Sequence, residues 1–393
     1  MEAVKKNITK IYILTTLSSF IFVGPIIVLF MQERELSFKE IMILESIFAI
    51  AIFILEVPSG YISDQIGRVK TIIIAKFIML ISHLTLTFST KFWQFLVAEI
   101  LFALYFALIS GTLEAFVYES LIALNKAEQY KKVMGNIRFI GFLSAGIGAV
   151  IGGLLSSISF QAVFLANTIN ILIAPFVALK LVEPNKKEIR DKKMGVKEVI
   201  RATKDTFFNG TALKWIILLS SVVYMFNQSA FWFYQPYLKL SGVEVVYFGI
   251  IFASFQFIAA ISAKFAYKIE AKIGLYNSLQ LITLLTAMSL ILMGSFVAIY
   301  SFLFIYMQQF TRSVKSIIIS DIINKNSPKN YRATILSIAS FVDRVFIAIL
   351  LPILGYVEGA YGIKVTLILM GVSLVVGGAV LLYIIKRNFL PYQ

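Results

Sequence analysis

The residues able to do chemistry in this sequence are carboxylates and bases set inside apolar runs. Glu45, Glu99, Glu114, Arg138, Arg312, Lys315, Asp343 and Arg344 all stand in stretches otherwise dominated by Leu, Ile, Val, Phe and Ala. An ionisable group in hydrocarbon is costly, so each needs a partner, a water-filled cavity or a transported ion. Such groups can hold protons, pair with one another and contact a polar substrate. The sequence offers little else. With no cysteine and a single histidine, His83, disulfides, iron–sulfur clusters and thiolate metal sites are excluded, and most imidazole metal sites with them. No phosphate-binding P-loop, cofactor fingerprint or hydrolytic constellation occurs, so enzymatic activity, ATP-driven work and a bound cofactor are not expected.

Spacing suggests how these groups meet. At 100° per residue, Glu99, Ala103, Phe106, Ser110 and Glu114 fall within about 60° of one another on a continuous helix. Glu45 and Glu56, eleven residues apart, share a stripe to within about 20°; Glu45 could act as a gate on the outer half. Glu114 could hold a proton or form a structural pair with Arg138. An Arg312 to Asp343 interaction is expected, because an unpaired guanidinium there would cost at least a few kcal/mol. His83, among apolar neighbours, reads more readily as a packed, hydrogen-bonded ring than as a proton relay.

The elements that position these residues must be membrane helices. The 393 residues are 59% hydrophobic and only 15% charged, with a mean hydropathy of +0.86. Apolar runs of roughly 20 residues recur along the whole chain, each long enough to cross a hydrocarbon core as a helix. Ten-residue strand alternation is absent, which argues against a barrel. Spans are expected near 11–31, 39–60, 71–89, 92–120, 133–155 and 160–181, and near 213–237, 243–266, 275–295, 297–322, 333–356 and 361–385. The expected fold is therefore all-α, twelve transmembrane helices in two six-helix pseudo-symmetric bundles: residues 1–182, a cytoplasmic linker 183–212, and residues 213–393.

Charge sets the orientation. The net charge of +15 would suit nucleic-acid binding only as a patch on a soluble surface. Instead, about 26 of the 36 Lys and Arg fall in the segments that are cytoplasmic if the N-terminus is inside. Both termini are then cytoplasmic and the membrane is the inner or plasma membrane. The apolar run after Lys10 is too long for a signal-peptide core. The linker carries eight Lys and Arg between Lys186 and Lys204, and Val196 to Phe208 could lie on the anionic leaflet as an amphipathic helix. Asn7-Ile-Thr9 matches a glycosylation sequon but lies on the cytoplasmic side, so it is set aside. Asn125, Tyr130 and Lys131 align with Asn326, Tyr331 and Arg332 at a constant offset, which suggests duplicated halves.

The most specific local signal is Gly60-Tyr-Ile-Ser-Asp64-Gln-Ile-Gly67-Arg68-Val-Lys70, preceded by Leu55-Glu56-Val57-Pro58-Ser59. It resembles the loop signature of the major facilitator superfamily, and the segment before it is similar to that of bacterial drug-exporter-like members. Glycines permit a very short turn between helices. The resemblance implies that Asp64 contacts the start of the eleventh helix near Arg332 to Thr334, where a carboxylate meets unpaired amides. It further implies that Arg68 pairs with an acid at the inner end of the fourth helix, for which Glu119 is the candidate; Glu56, four residues before Gly60, is expected to join this latch by its position. Gly146-Ile-Gly148-Ala149-Val-Ile-Gly152-Gly153 resembles an exporter-associated glycine motif with Ala149 in place of proline. Generic small-residue packing would account for it equally well.

By the same resemblance, the first, fourth, seventh and tenth helices line a central cavity. This puts Glu99 and Glu114 on the proton path, with Glu114 as the preferred carrier, and makes Phe22, Tyr224, Gln228, Phe231, Trp232 and Gln235 cavity candidates. Mixed aromatic and amide surfaces suit amphipathic organic molecules. The expectation is a monomeric proton-coupled exporter of drug-like small molecules, working in the lipid bilayer without nucleic-acid or metal partners. Proton-linked uptake of a nutrient or metabolite is the alternative, and a non-transporting receptor or scaffold the remote one.

Overall fold

The computed structural model describes residues 2–184, 212–326 and 332–389. These form thirteen α-helices: α1 Glu2–Ser19, α2 Ile27–Glu33, α3 Phe38–Ile66, α4 Arg68–Phe88, α5 Phe92–Ile109, α6 Thr112–Ala123, α7 Tyr130–Ser156, α8 Phe160–Ala178, α9 Ala212–Leu240, α10 Phe248–Ile273, α11 Leu275–Ser295, α12 Leu303–Asn326 and α13 Arg332–Phe389. No strand occurs among the described residues. The expected linker helix at Val196 to Phe208, and Tyr331 of the aligned pairs, lie outside them.

Among the described residues, eight helical segments are long and apolar enough to cross a membrane, or nine if the bent α3 is taken as one span. The difference from the expected twelve has local causes. The first span is not one helix: it leaves helical geometry between Ser19 and Ile27, where Gly24-Pro25 stands. α12 carries Arg312, Lys315, Asp321 and Lys325, which dilute its hydropathy. α13 runs 58 residues as one element, turning only at Gly362 with φ 77°, so two expected spans merge. α3 bends by 46° around Val57 and Pro58, because proline removes a helical hydrogen bond and crowds the preceding turn.

Local sequence explains the starts and junctions. Ser37 caps α3: its hydroxyl accepts from Glu40 N while Glu40 accepts from the Ser37 amide at 2.9 Å, a reciprocal capping box. A single residue, Gly67, joins α3 to α4 with φ 97°. Gly60, expected to share that turn, lies instead inside α3, and a Cβ added there would meet nothing within 4 Å. The turn is made by one glycine.

The chain divides into two compact units, residues 1–189 with 244–254, and residues 190–243 with 255–393. In the first, α5 packs on α3 and α4, α8 on α4, and α1 on α7 and α8. Its core joins Ile11, Leu14, Ile72, Phe116, Val117, Ala174 and Ala178. In the second, α13 packs on α9 and α11, and α12 on α11 and α9. Outward faces carry exposed Phe88, Trp93, Phe139, Ile169, Phe257 and Val376, the surface that lipid rather than water would cover.

Candidate functional site

The glycine motif of α7 positions the broken first span. A Cβ on Gly148 would meet Ile21 N at 2.9 Å, and one on Gly152 would meet Phe22 O at 1.9 Å. The glycines therefore make room for a non-helical stretch of backbone. Phe22 is only 7% exposed there, its amide donating to Asn167 Oδ1 at 2.9 Å. Its expected place as a cavity-lining ring on a helix is corrected: buried backbone polar groups need partners, and Asn167 supplies one where the helix cannot. A Cβ on Gly146 would meet nothing within 4 Å.

A second break corrects the fourth span. Gly111, with φ 70°, separates α5 from α6, so Glu99 and Glu114 do not lie on one continuous stripe. Glu99 is buried at 5% exposure while Phe106 is 41% exposed. Glu114 is exposed and lines an open cavity of about 300 Å³ with Tyr130, Lys131, Met134, Gly135 and Arg138. No ion pair between Glu114 and Arg138 is found among the described residues, although both act electrostatically on Tyr130.

The acid that packing brings toward Glu99 is Glu45. Both are 5% exposed, on the packed helices α3 and α5. Neither carboxyl has a hydrogen-bond partner among the described residues. One turn further along each helix, Phe48 and Phe102 stack at 5.9 Å, and Phe102 meets His83 edge-on at 5.3 Å. His83 is buried, Nδ1 lying 3.0 Å from Met79 O, as a packing ring would be. Glu56, expected on the stripe of Glu45, is exposed, since it stands at the α3 bend.

Sequence reasoning missed Lys76. It is 4% exposed on α4, and its ammonium donates to Ser18 Oγ at 2.6 Å and Tyr105 OH at 3.2 Å, 5.0 Å above the Tyr105 ring. No carboxylate pairs with it among the described residues. The signal was available, a lone lysine within the third apolar run.

At the junction of α3 and α4, Arg68 gathers the loop signature. Its guanidinium reaches Asp64 at 2.8 Å and Glu119 at 3.3 Å and donates to Ser63 Oγ at 2.8 Å. Arg68 and Glu119 are thus brought together. The side chains of Arg332 to Thr334, the expected acceptor turn of Asp64, lie outside the described residues. A carboxylate not expected here completes the corner: Glu183 accepts from the amides of Arg68 and Val69, both at 2.8 Å, capping α4. Asn7 holds the same segment, donating to Val182 O at 2.8 Å and accepting from Val182 N at 3.1 Å, and Lys10 donates to Lys180 O. That is the role of the asparagine set aside as a sequon.

Glu183→Ala is expected to lower stability by about 1–2 kcal/mol, as loss of a charged helix cap does. Thermal melting of the purified protein in detergent checks it. A melting temperature equal to wild type would mean the cap carries no weight.

In the second unit, Asp343 binds Lys315 at 3.8 Å rather than Arg312. Lys315 reaches it because its ammonium sits 4.4 Å over the Tyr224 ring, which fixes the lysine between α9 and α13. Tyr234 donates to Gln308 Oε1 at 2.8 Å, and Asn227 donates to Gln308 O at 3.0 Å, so this part of α9 faces protein. Gln235, expected among the cavity candidates, is fully buried. Gln228, Phe231 and Trp232 remain partly exposed.

With this geometry in hand, comparison with known proteins is informative. Residues 11–349 match the sequence profile of the Major Facilitator Superfamily. The chain is 25% identical over 365 residues to the uncharacterized MFS-type transporter YxaM of Bacillus subtilis, covering 90% of this chain and 89% of that one. Its fold is similar to that of a variant of the nucleoside transporter NupG (TM-score 0.80, 13% identity, 97% of this chain and 99% of that chain). It is also similar to that of a bacterial homologue of the human lysosomal transporter Spinster (TM-score 0.78, 15% identity, 99% and 97%).

Proposed function

Because this chain belongs to the Major Facilitator Superfamily and is a multi-pass membrane transporter by its fold, we propose that it is a proton-coupled exporter of amphipathic, drug-like small molecules. Two halves, 1–182 and 213–393, would alternate access, joined by the basic linker 183–212, with twelve spans and both termini cytoplasmic. The observation that carries proton coupling is the Glu45–Glu99 pair. Two carboxylates, each 5% exposed and each three residues before one of the stacked rings Phe48 and Phe102, cannot both hold a charge cheaply in the bilayer. One shared proton removes the repulsion, and releasing it costs enough to couple to a conformational change. This reading moves the proton site from the more exposed Glu114 to Glu45 and Glu99.

Proton-linked uptake is the second reading, supported by the name of the nucleoside transporter of similar fold, a likeness of fold only. Everted membrane vesicles separate the two. With an acid interior, added amphipathic compounds should dissipate the pH gradient in wild-type vesicles, and the Glu45→Gln/Glu99→Gln double variant should lose at least 90% of that signal. A double variant that dissipates the gradient like wild type would remove this pair from coupling. A compound-dependent proton flux confined to right-side-out vesicles would favour uptake.

A further inference from the structure

The ion pair that forms in the second unit leaves another cation over. Asp343 engages Lys315, and Arg312, three residues earlier on α12, has no hydrogen-bond or ion-pair partner among the described residues. It is partly exposed midway along a helix that runs from Leu303 to Asn326. One turn before it, Gln308 meets Asn227 at 3.0 Å and Tyr234 at 2.8 Å, so α12 packs here against the stretch of α9 that also bears Gln228 and Phe231. Among the described residues Asp343 is the carboxylate that reaches this cluster, and it is held by Lys315, which leaves the charge of Arg312 uncompensated midway along a span, where that is most costly.

We infer that Arg312 is the receptor for an anionic group, a carboxylate or sulfonate, on the transported molecule. A guanidinium offers a planar fork of N–H donors that matches a carboxylate in a bidentate contact, stronger than a neutral hydrogen bond and directional. The partly exposed rings of Phe231 and Trp232, edge-to-face at 5.3 Å, lie two turns further along α9 and suit the apolar body of such a molecule. Lys315 is already committed to Asp343 and the Tyr224 ring. Arg312 is therefore the cation with a free fork, and the substrate class is an amphipathic organic anion rather than a lipophilic cation. This rests on the transport reading but names its substrate class.

The test is equilibrium binding to the purified full-length protein, by scintillation proximity, of three radiolabelled probes with one ring system: naphthalene-2-carboxylate, its neutral methyl ester, and 2-naphthylmethylammonium. The carboxylate should bind at least tenfold more tightly than the ester or the ammonium. Arg312→Gln should abolish that preference while leaving ester binding unchanged. Arg312→Lys should keep part of it, which guards against reading a folding defect as lost recognition. Equal binding of the three probes, tighter binding of the ammonium, no measurable carboxylate binding, or a preference that survives Arg312→Gln each overturns the inference. None of these outcomes touches proton coupling, which the vesicle pH signal judges separately.

Discussion

Gly152→Ala prevents the first unit from assembling, whereas Gly146→Ala on the same helix leaves expression and melting unchanged. The Cβ of an alanine at 152 would fall 1.9 Å from Phe22 O and 2.7 Å from Phe22 C. Both are backbone atoms, and they belong to the stretch between α1 and α2 that the helix ladder does not stabilise. A flexible side chain could swing away; a backbone held through the Phe22 amide on Asn167 cannot. Overpacking of an interior costs roughly 1–3 kcal/mol when side chains can adjust, so a backbone collision is expected at about 3 kcal/mol or more. Fluorescence-detected size exclusion and thermal melting read it directly. If Gly152→Ala elutes and melts with wild type, Phe22 does not rest on α7.

Asp343→Asn is expected to destabilise the second unit by about 2–4 kcal/mol, because removing one member of a largely buried ion pair strands the other. The Lys315 side chain is 10% exposed and that of Asp343 21%, and without the carboxylate the ammonium keeps only the Tyr224 ring at 4.4 Å. The double variant Lys315→Met/Asp343→Leu removes the stranded charge, so it should recover most of the loss. Melting of the single and double variants decides the matter. Equal melting of the two would mean that the pair contributes nothing through its charges.

These outcomes depend on features that differ in how much of them can be read from one dimension. The corner around Arg68 is legible because its spacing is dictated by backbone: a glycine with positive φ, then a helix start, then an arginine whose length reaches the neighbouring helix end. Glu119 follows from that. Gly60 is not legible in the same way, because a glycine inside a helix and a glycine in a turn have the same letter, and only the ladder of neighbours tells them apart. The same ambiguity hides the break at Gly111, so a stripe drawn from Glu99 to Glu114 crosses a junction where the helical register is lost.

The acid partners are hardest to read. Arg312 and Lys315 are three residues apart and both can reach toward α13, and the choice between them is made by the position of Tyr224 on a third helix. Glu45 and Glu99 come from spans separated by another span, and pairing them requires knowing that α3 packs on α5. Such information is tertiary, and no periodicity within one helix contains it.

The tie between α1, α4 and the residues after α8 bears on where this polypeptide can be divided. Asn7 grips Val182 through both its amide and its carbonyl, and Glu183 supplies the first two amides of α4 with their acceptor. The first half is therefore closed by Val182 and Glu183, the second of which a span-by-span reading leaves to the linker. A gene split to produce the two halves as separate polypeptides belongs after Pro184. A cut a few residues earlier would hand the closure of one half to the other.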